Sequence, residues 1–240
     1  MVMRNTYALL IAGDEERFVD AALEFKKYLI DQAKFNPIKI FQVYAQEDNY
    51  DVCNTVEKCF TTAEEDATNN QVVIAYNGHG TKVGISPTKE GKNSIISYFE
   101  LGMRLRALKR EFLFVNDCCY SESVIPVFES FKLLPHKGAV IASAAINELS
   151  YGNLFSKQLL DSVRQKRPFD KSRLAFIEKV NLSIYGGSNN SGISTYKDEN
   201  ETVEVIENLD FKETKVTKFI PLIQHPQRCG LSLDHLLFPQ

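Results

Sequence analysis

The chain has no tryptophan, only four histidines, and only 12 glycines and 8 prolines in 240 residues. So few breaker residues exclude collagen-like and low-complexity classes, and with 44% apolar and 25% charged residues the composition is that of an ordinary globular protein. Long hydrophobic runs are also missing: none approaches the roughly 18 residues of a membrane span, so a soluble chain is expected. A basic excess is absent too. With 28 Lys and Arg against 31 Asp and Glu, a net charge of −3 and a pI near 5.9, there is no footprint for nucleic acid. Five cysteines (Cys53, Cys59, Cys118, Cys119 and Cys229) make an odd number without disulfide-like spacing, which favours a reducing, cytoplasmic setting. The opening Met1 to Gly13 carries one Arg and a short apolar run ending in Gly-Asp-Glu-Glu; it reads as a strand, not as a signal peptide. A chain this long can bury roughly 70% of its unfolded surface, and one domain over 1–240 is expected.

What is present alternates between strand and helix patterns. Tyr7 to Ala12 is an apolar strand, followed by a helix from Glu15 to Lys34 with Phe18, Ala21, Ala22, Phe25, Tyr28 and Leu29 at helical spacing and Asp14 as N-cap. Ile38 to Tyr44 alternates as a half-exposed strand near a sheet edge, and Asp51 to Thr68 is a helix with Val52, Val56, Cys59 and Phe60 on one face. Val72 to Tyr76 is a third strand; Thr81 to Asn93 reads as an exposed excursion with a hairpin around Val83 to Ser86. In the helix over Ser94 to Arg110, Ile95, Phe99, Met103 and Leu105 are expected to face inward, and the basic end of Arg104, Arg106, Lys109 and Arg110 suits a helix C-terminus. Phe112 to Asn116 is strand four, Glu122 to Lys132 a helix with Pro126 in its first turn, and Gly138 to Ser143 strand five. Helices follow at Leu154 to Arg164 and Arg173 to Leu182. A mobile loop is expected over 186–201, and late strands at Thr202 to Ile206 and Val216 to Ile223. This alternation predicts an α/β fold with a mainly parallel sheet and helices on both faces.

Two strand ends carry chemistry. Gln71 to Tyr76 runs into Asn77-Gly78-His79-Gly80, and Phe112 to Val115 runs into Asn116-Asp117-Cys118-Cys119-Tyr120-Ser121. In an open α/β sheet the crevice outside the carboxyl ends of the strands is where ligands collect. A cysteine hydrolase needs a thiolate, a proton-shuttling base and backbone donors for an oxyanion. Cys119, His79 and the N–H groups of Gly80 and Cys119 supply one candidate for each role. Taken singly, Cys119 reads as an inert buried thiol and His79 as a loop histidine without a role; their joint placement points to a catalytic pair.

The two motifs resemble those of caspase-fold (clan CD) peptidases, a group including caspases, metacaspases and legumain-like enzymes. The match is to the metacaspase pattern Ser-Gly-His-Gly and Asp-Ser-Cys-His-Ser-Gly, which here reads Asn77 to Gly80 and Asp117 to Glu122. The histidine precedes the cysteine at a caspase-like distance. The similarity covers about residues 5–165 in element order. It implies a caspase-like three-layer sandwich and a cysteine endopeptidase with Cys119 as nucleophile, His79 as base, a thioacyl-enzyme and no cofactor. Cys118 then occupies a variable position, turned into the core. Tyr120 and Glu122 replace the His and Gly of the pattern, so the loop after the nucleophile must be shaped differently.

For the substrate pocket, the resemblance assigns Asp117, two before the nucleophile, to a basic P1 side chain, so Arg or Lys is the first expectation; an N-cap is its structural alternative. Ala145 to Gly152, with Ser150, is similar to a stretch lining the legumain pocket, and Arg17 and Asp20 lie where both groups place pocket residues; Asn77, at the strand end that carries His79, is a further pocket candidate. Arg17 beside Asp117 would suit Asn or an acid. A phosphatase-type site is excluded because Ile125 stands where an Arg is needed, and adjacent cysteines argue against a thiol oxidoreductase. No metal site is expected, although calcium activation through Asp198, Glu199 and Glu201, or self-cleavage at Lys197, is compatible with the Gly- and Ser-rich loop. A catalytically silent caspase-like scaffold or regulatory module is the alternative function. A protein or peptide substrate is the implied partner, with a regulatory protein compatible, and neither nucleic acid nor membrane is expected.

Overall fold

The computed structural model describes residues 3–47, 51–68, 71–88, 95–150, 154–165, 194–195, 204–209, 212–215, 225–231 and 237. Its elements are β1 (Tyr7–Ala12), α1 (Glu16–Asp31), β2 (Ile40–Tyr44), α2 (Val52–Glu65), β3 (Gln71–Asn77), β4 (His79–Thr81), β5 (Gly84–Ser86), β6 (Ile96–Ser97), α3 (Tyr98–Ala107), β7 (Glu111–Asp117), α4 (Val124–Ser130), β8 (Gly138–Ala142), α5 (Leu154–Arg164), β9 (Ser194–Thr195), β10 (Glu204–Leu209), β11 (Lys212–Lys215) and β12 (Gln227–Gly230).

The central sheet has six strands in the order β12-β8-β7-β3-β1-β2. Five are parallel, and β12 runs antiparallel to β8 at the edge. Because successive side chains of a strand point to opposite faces, each apolar strand feeds two cores. Tyr7, Leu9 and Ile11 of β1 join Ile74, Phe112 and Phe114 in one cluster with residues of α2, α3 and α4; Ala8 and Leu10 join Val73, Leu113 and Val115 in a second with α1 and α5. The result is the expected α/β sheet with helices on both faces. No helix of the described residues is long and apolar enough to cross a membrane.

Sheet order decides where a site can form. The connection from β1 runs outward to β2, and the chain then returns to lay β3 on the other side of β1. At such a reversal the loops diverge and leave a crevice at the carboxyl ends of β1 and β3. β7 lies next to β3, so its C-terminal end borders the same crevice.

The sequence reading of α3 is corrected. Leu105 is buried, but Ile95, Phe99 and Met103 are 44%, 61% and 54% exposed, and the inward stripe is Tyr98, Leu101, Gly102 and Leu105. Two apolar stripes run along this helix at helical spacing, so periodicity alone could not choose between them. Gly102 decides, since only a missing Cβ lets the Phe131 ring approach to 2.7 Å of where that atom would stand. A second correction concerns Asp14: Glu15 is the N-cap residue of α1 and makes no side-chain cap, while Asp14 faces the crevice.

Other differences are smaller. The expected hairpin around Val83 is β4–β5, which begins at His79 itself and adds β6 as a third strand. The first late strand corresponds to β10, whereas Arg173 to Leu182, Val216 to Ile223, Asp198, Glu199, Glu201, Lys197 and most of the 186–201 loop lie outside the described residues. β12 was not legible, because Gln-Arg-Cys-Gly has neither alternation nor β-branched residues and is held by pairing with β8.

Candidate active site

Three strand ends meet at the crevice: Gly13-Asp14-Glu15 after β1, Gly78-His79-Gly80 after β3, and Cys118-Cys119-Tyr120 after β7. Backbone bonds stitch them edge to edge, Gly13 N–H donating to Asn77 O (2.8 Å) and Gly78 N–H to Asp117 O (3.2 Å). Gly80 packs directly on the cysteine pair; a Cβ there would stand 2.4 Å from both Cys118 Sγ and the Cys119 carbonyl oxygen. His79 and Cys119 are thus brought to one mouth from strands 40 positions apart in sequence.

His79 is part-exposed, and its ring stands edge-on to Phe18 at 5.1 Å between centroids. Its Nε2 points between two carboxylates, 3.3 Å from Asp14 Oδ1 and 3.1 Å from Glu15 Oε1, off the line of a hydrogen bond but within ion-pairing range. Nε2 faces these carboxylates, which leaves Nδ1 as the other nitrogen of the ring. Sequence reasoning assigned Asp14 a capping role and missed Glu15, although the strand-end rule that singles out His79 and Cys119 applies to both.

The two cysteines diverge. Cys118 is 1% exposed, donates to Asn116 Oδ1 (3.3 Å) and contacts Tyr98 Oη (3.6 Å). Burial drives its thiol well above the ordinary range, so it is an inert core group. Cys119 is half-buried, with the N–H of Ser150 3.4 Å from its sulfur and the Ser150 carbonyl at 3.8 Å. Burial pushes its thiol up; the N–H groups of Ser150 and of Cys119 itself, and the Arg17 guanidinium acting through space, pull it down, while Asp117 adds to the upward push. The resting group is therefore a thiol, and ionisation needs an acceptor for its proton.

The loop after Cys119 is held without the glycine of the resembled pattern. Tyr120 adopts the left-handed conformation (φ 57°, ψ 24°), a costly one for a residue with a side chain, and donates its N–H to Glu148 O (2.8 Å). Asn116 donates to Ser121 O (3.1 Å), Ser121 Oγ accepts from Ala144 N–H (2.9 Å), and Glu122 accepts from Ile146 N–H (2.8 Å). These ties fasten residues 119–123 to the segment after β8. From the opposite side Lys82, at the tip of the β4–β5 hairpin, donates to Asn147 (2.9 Å) and lies over the Tyr120 ring at 5.7 Å.

The remaining sequence candidates divide. Asp117 is 2% exposed, and its carboxylate accepts from Ser150 Oγ (2.8 Å), Ser156 N–H (3.1 Å) and Ser156 Oγ (2.5 Å). Burial nevertheless raises its pKa, with the serine donors working against that. Asn77 is buried and accepts from the same Ser156 hydroxyl, so Ser156, which sequence reasoning passed over, links both strand ends. Ser150 joins Asp117 to the Cys119 sulfur. Arg17 is half-exposed, paired with Glu15 at 2.6 Å and placed 4.9 Å over the Phe18 ring. Asp20 stands exposed on α1, and no hydrogen bond or ion pair among the described residues ties it to this group.

No protein-family model matches the chain, and no curated protein matches it. Among solved structures it is similar to Raptor of Chaetomium thermophilum, at 16% identity over 69% of this chain and 18% of that one, with a TM-score of 0.43. It is also similar to a secreted C11 cysteine protease from Bacteroides thetaiotaomicron in complex with an irreversible peptide inhibitor (16% identity, 84% of this chain and 65% of that one, TM-score 0.43). A third similarity is to drICE (16%, 75% and 81%, TM-score 0.41). The chain spans less than two thirds of the first two.

Proposed function

We propose that this chain is a cysteine endopeptidase that cleaves after a basic P1 residue. The observation that carries the reading is the contact of Gly80 with Cys118 and Cys119, which fixes the strand end bearing His79 against the one bearing the thiol. In the mechanism His79 Nδ1 takes the Cys119 proton as sulfur attacks the scissile carbonyl, and Asp14 and Glu15 stabilise the imidazolium that forms. The N–H groups of Gly80 and Cys119 are the donors for the tetrahedral oxyanion. His79 then protonates the leaving amine, and water, deprotonated by the same ring, hydrolyses the thioacyl-enzyme.

Basic P1 specificity is supported by the charge of the mouth. Asp14 and Glu15 place two carboxylates beside His79, with Arg17 paired to Glu15 as the counter-charge, while Asp117 is buried and engaged by Ser150 and Ser156. The five cysteines are all unpaired, which supports action in a reducing compartment such as the cytoplasm.

The test is covalent labelling with a peptidyl acyloxymethyl ketone carrying Arg at P1. Labelling of the wild type that is lost in Cys119→Ala and sharply reduced in His79→Ala is the expected result. A wild type that no P1 residue or divalent ion renders reactive would establish the silent binding module instead.

A further inference from the structure

The antiparallel strand β12 reverses the usual direction at this edge of the sheet. A parallel strand beside β8 would bring its C-terminal end to the crevice; β12 brings its start, since Gln227 pairs with Ala142 at the end of β8 and Gly230 with Ala139. The residue two before β12, His225, is thereby placed against the segment that follows β8.

Glu148 receives it there. One carboxylate oxygen accepts the backbone N–H groups of His225 (2.8 Å) and Ala145 (3.0 Å), and the other lies 2.6 Å from His225 Nδ1. The backbone of the same residue serves the nucleophile loop: Glu148 O accepts the N–H of Tyr120, and Glu148 N–H donates to Ala145 O at 3.0 Å. Two residues further on, Ser150 N–H reaches the Cys119 sulfur. One glutamate therefore faces the entry of β12 with its side chain and the residue after the nucleophile with its main chain. Tyr120 is also where the backbone is held in its left-handed conformation, which needs surrounding structure to sustain it.

We propose that Glu148 is a positioning residue for Cys119, and that docking of the segment entering β12 through His225 on this carboxylate sets the geometry of the nucleophile loop. The proposal rests on the peptidase reading for its kinetic consequence but not for its structural one. Docked, His225 fixes Glu148, Glu148 O fixes Tyr120 N–H, and the carbonyl and N–H of Cys119 are held where attack needs them. Released, Tyr120 loses its acceptor and the loop relaxes. The segment entering β12 is in this way part of the active-site apparatus although it supplies no reacting atom.

The experiment uses the full chain with Glu148→Ala, His225→Ala and Glu148→Gln, measuring turnover of an Arg-P1 peptide and amide exchange at Tyr120. Glu148→Ala is expected to lower kcat about tenfold or more with KM within about twofold, the signature of lost positioning. Exchange at Tyr120 should quicken by at least about tenfold as the N–H opens locally. His225→Ala should act in the same direction but less, since its backbone N–H remains. Glu148→Gln should recover most of both readouts, because one oxygen still accepts the two N–H groups and its amide can donate to a neutral His225. Unchanged kcat and unchanged Tyr120 exchange in Glu148→Ala would overturn the proposal, as would kcat, KM and melting temperature all worsening together. Should Glu148→Ala not fold, His225→Ala decides by the same criteria, its side chain being 44% exposed and outside the core. If the wild type turns over no peptide, the peptidase reading fails, and Tyr120 exchange still decides the positioning role.

Discussion

Gly80 lies against Cys119 with no room for a methyl group: a Cβ on residue 80 would stand 2.4 Å from the carbonyl oxygen of residue 119. This contact joins the histidine-bearing strand end to the thiol-bearing one, and both sides of it are backbone or buried sulfur that cannot swing away.

Gly80→Ala is expected to lower turnover at least about a hundredfold, since a shift on the order of 1 Å at a catalytic group has that effect. Overpacking should cost about 1–3 kcal/mol of stability. Urea unfolding beside kinetics checks both, and a fully active Gly80→Ala would dismiss the close contact.

Asp14→Asn and Glu15→Gln separate the two roles given to the mouth carboxylates. Loss of a charge that binds P1 raises KM for Arg and Lys peptides, whereas loss of support for the imidazolium lowers kcat. The expected pattern is a preference in a positional scanning library that shifts away from basic P1 in Asp14→Asn. A wild-type library that prefers Asn or Asp would contradict basic specificity altogether.

Thiol reactivity should follow burial. Cys59, which burial pushes up to about 12, and Cys118, pushed higher than an ordinary thiol, are expected to resist iodoacetamide in the native state. Cys119, also raised, should react slowly at neutral pH without substrate and faster as pH climbs above the usual thiol range, because only the thiolate is the nucleophile. Peptide mapping across a pH series reads this directly; fast alkylation of Cys118 would refute its core placement.

Asp117 gives a signed pH effect. Its folded-state pKa lies above the unfolded one, so the native state holds the proton more tightly, and this residue's contribution to stability rises as pH falls through that raised value, is complete below the ordinary carboxylate pKa, and is lost again as pH climbs through the raised value. Asp117→Asn, which removes the charge and can still accept from Ser156 N–H, should flatten the dependence. Asp117→Ala should cost about 2–3 kcal/mol by stranding buried serine donors. Thermal melts between mildly acidic and neutral pH decide it.

The outward stripe of α3 is expected to tolerate polar residues. Met103→Gln should change stability by no more than about 0.5 kcal/mol, since its side chain is more than half exposed, whereas Phe99→Ser should cost about 0.5–1.5 kcal/mol because its ring packs on Phe131 at 5.1 Å. A loss of several kcal/mol, measured by chemical unfolding, would mean that this face is covered.

Local pattern was enough to place the strands, and with them the ends where chemistry could collect. Apolar runs such as Tyr7 to Ala12 and Phe112 to Val115 are local signals of burial, and the residues that end them, His79 and Cys119, are read off without a structure. The remaining features depend on neighbours that no local pattern encodes. Strand order put Asp14 and Glu15 beside His79 and turned them from helix-start residues into part of the site. Gly102 chose which of two apolar stripes of α3 faces inward, because packing against Phe131 rather than periodicity settles that choice. Asp117, which the resemblance assigned to a pocket, is buried and held by Ser150 and Ser156, and β12, with no strand signal of its own, brought His225 to Glu148. Hydrogen bonds between residues tens of positions apart are set by how the sheet is assembled, and a chain read in order cannot show them.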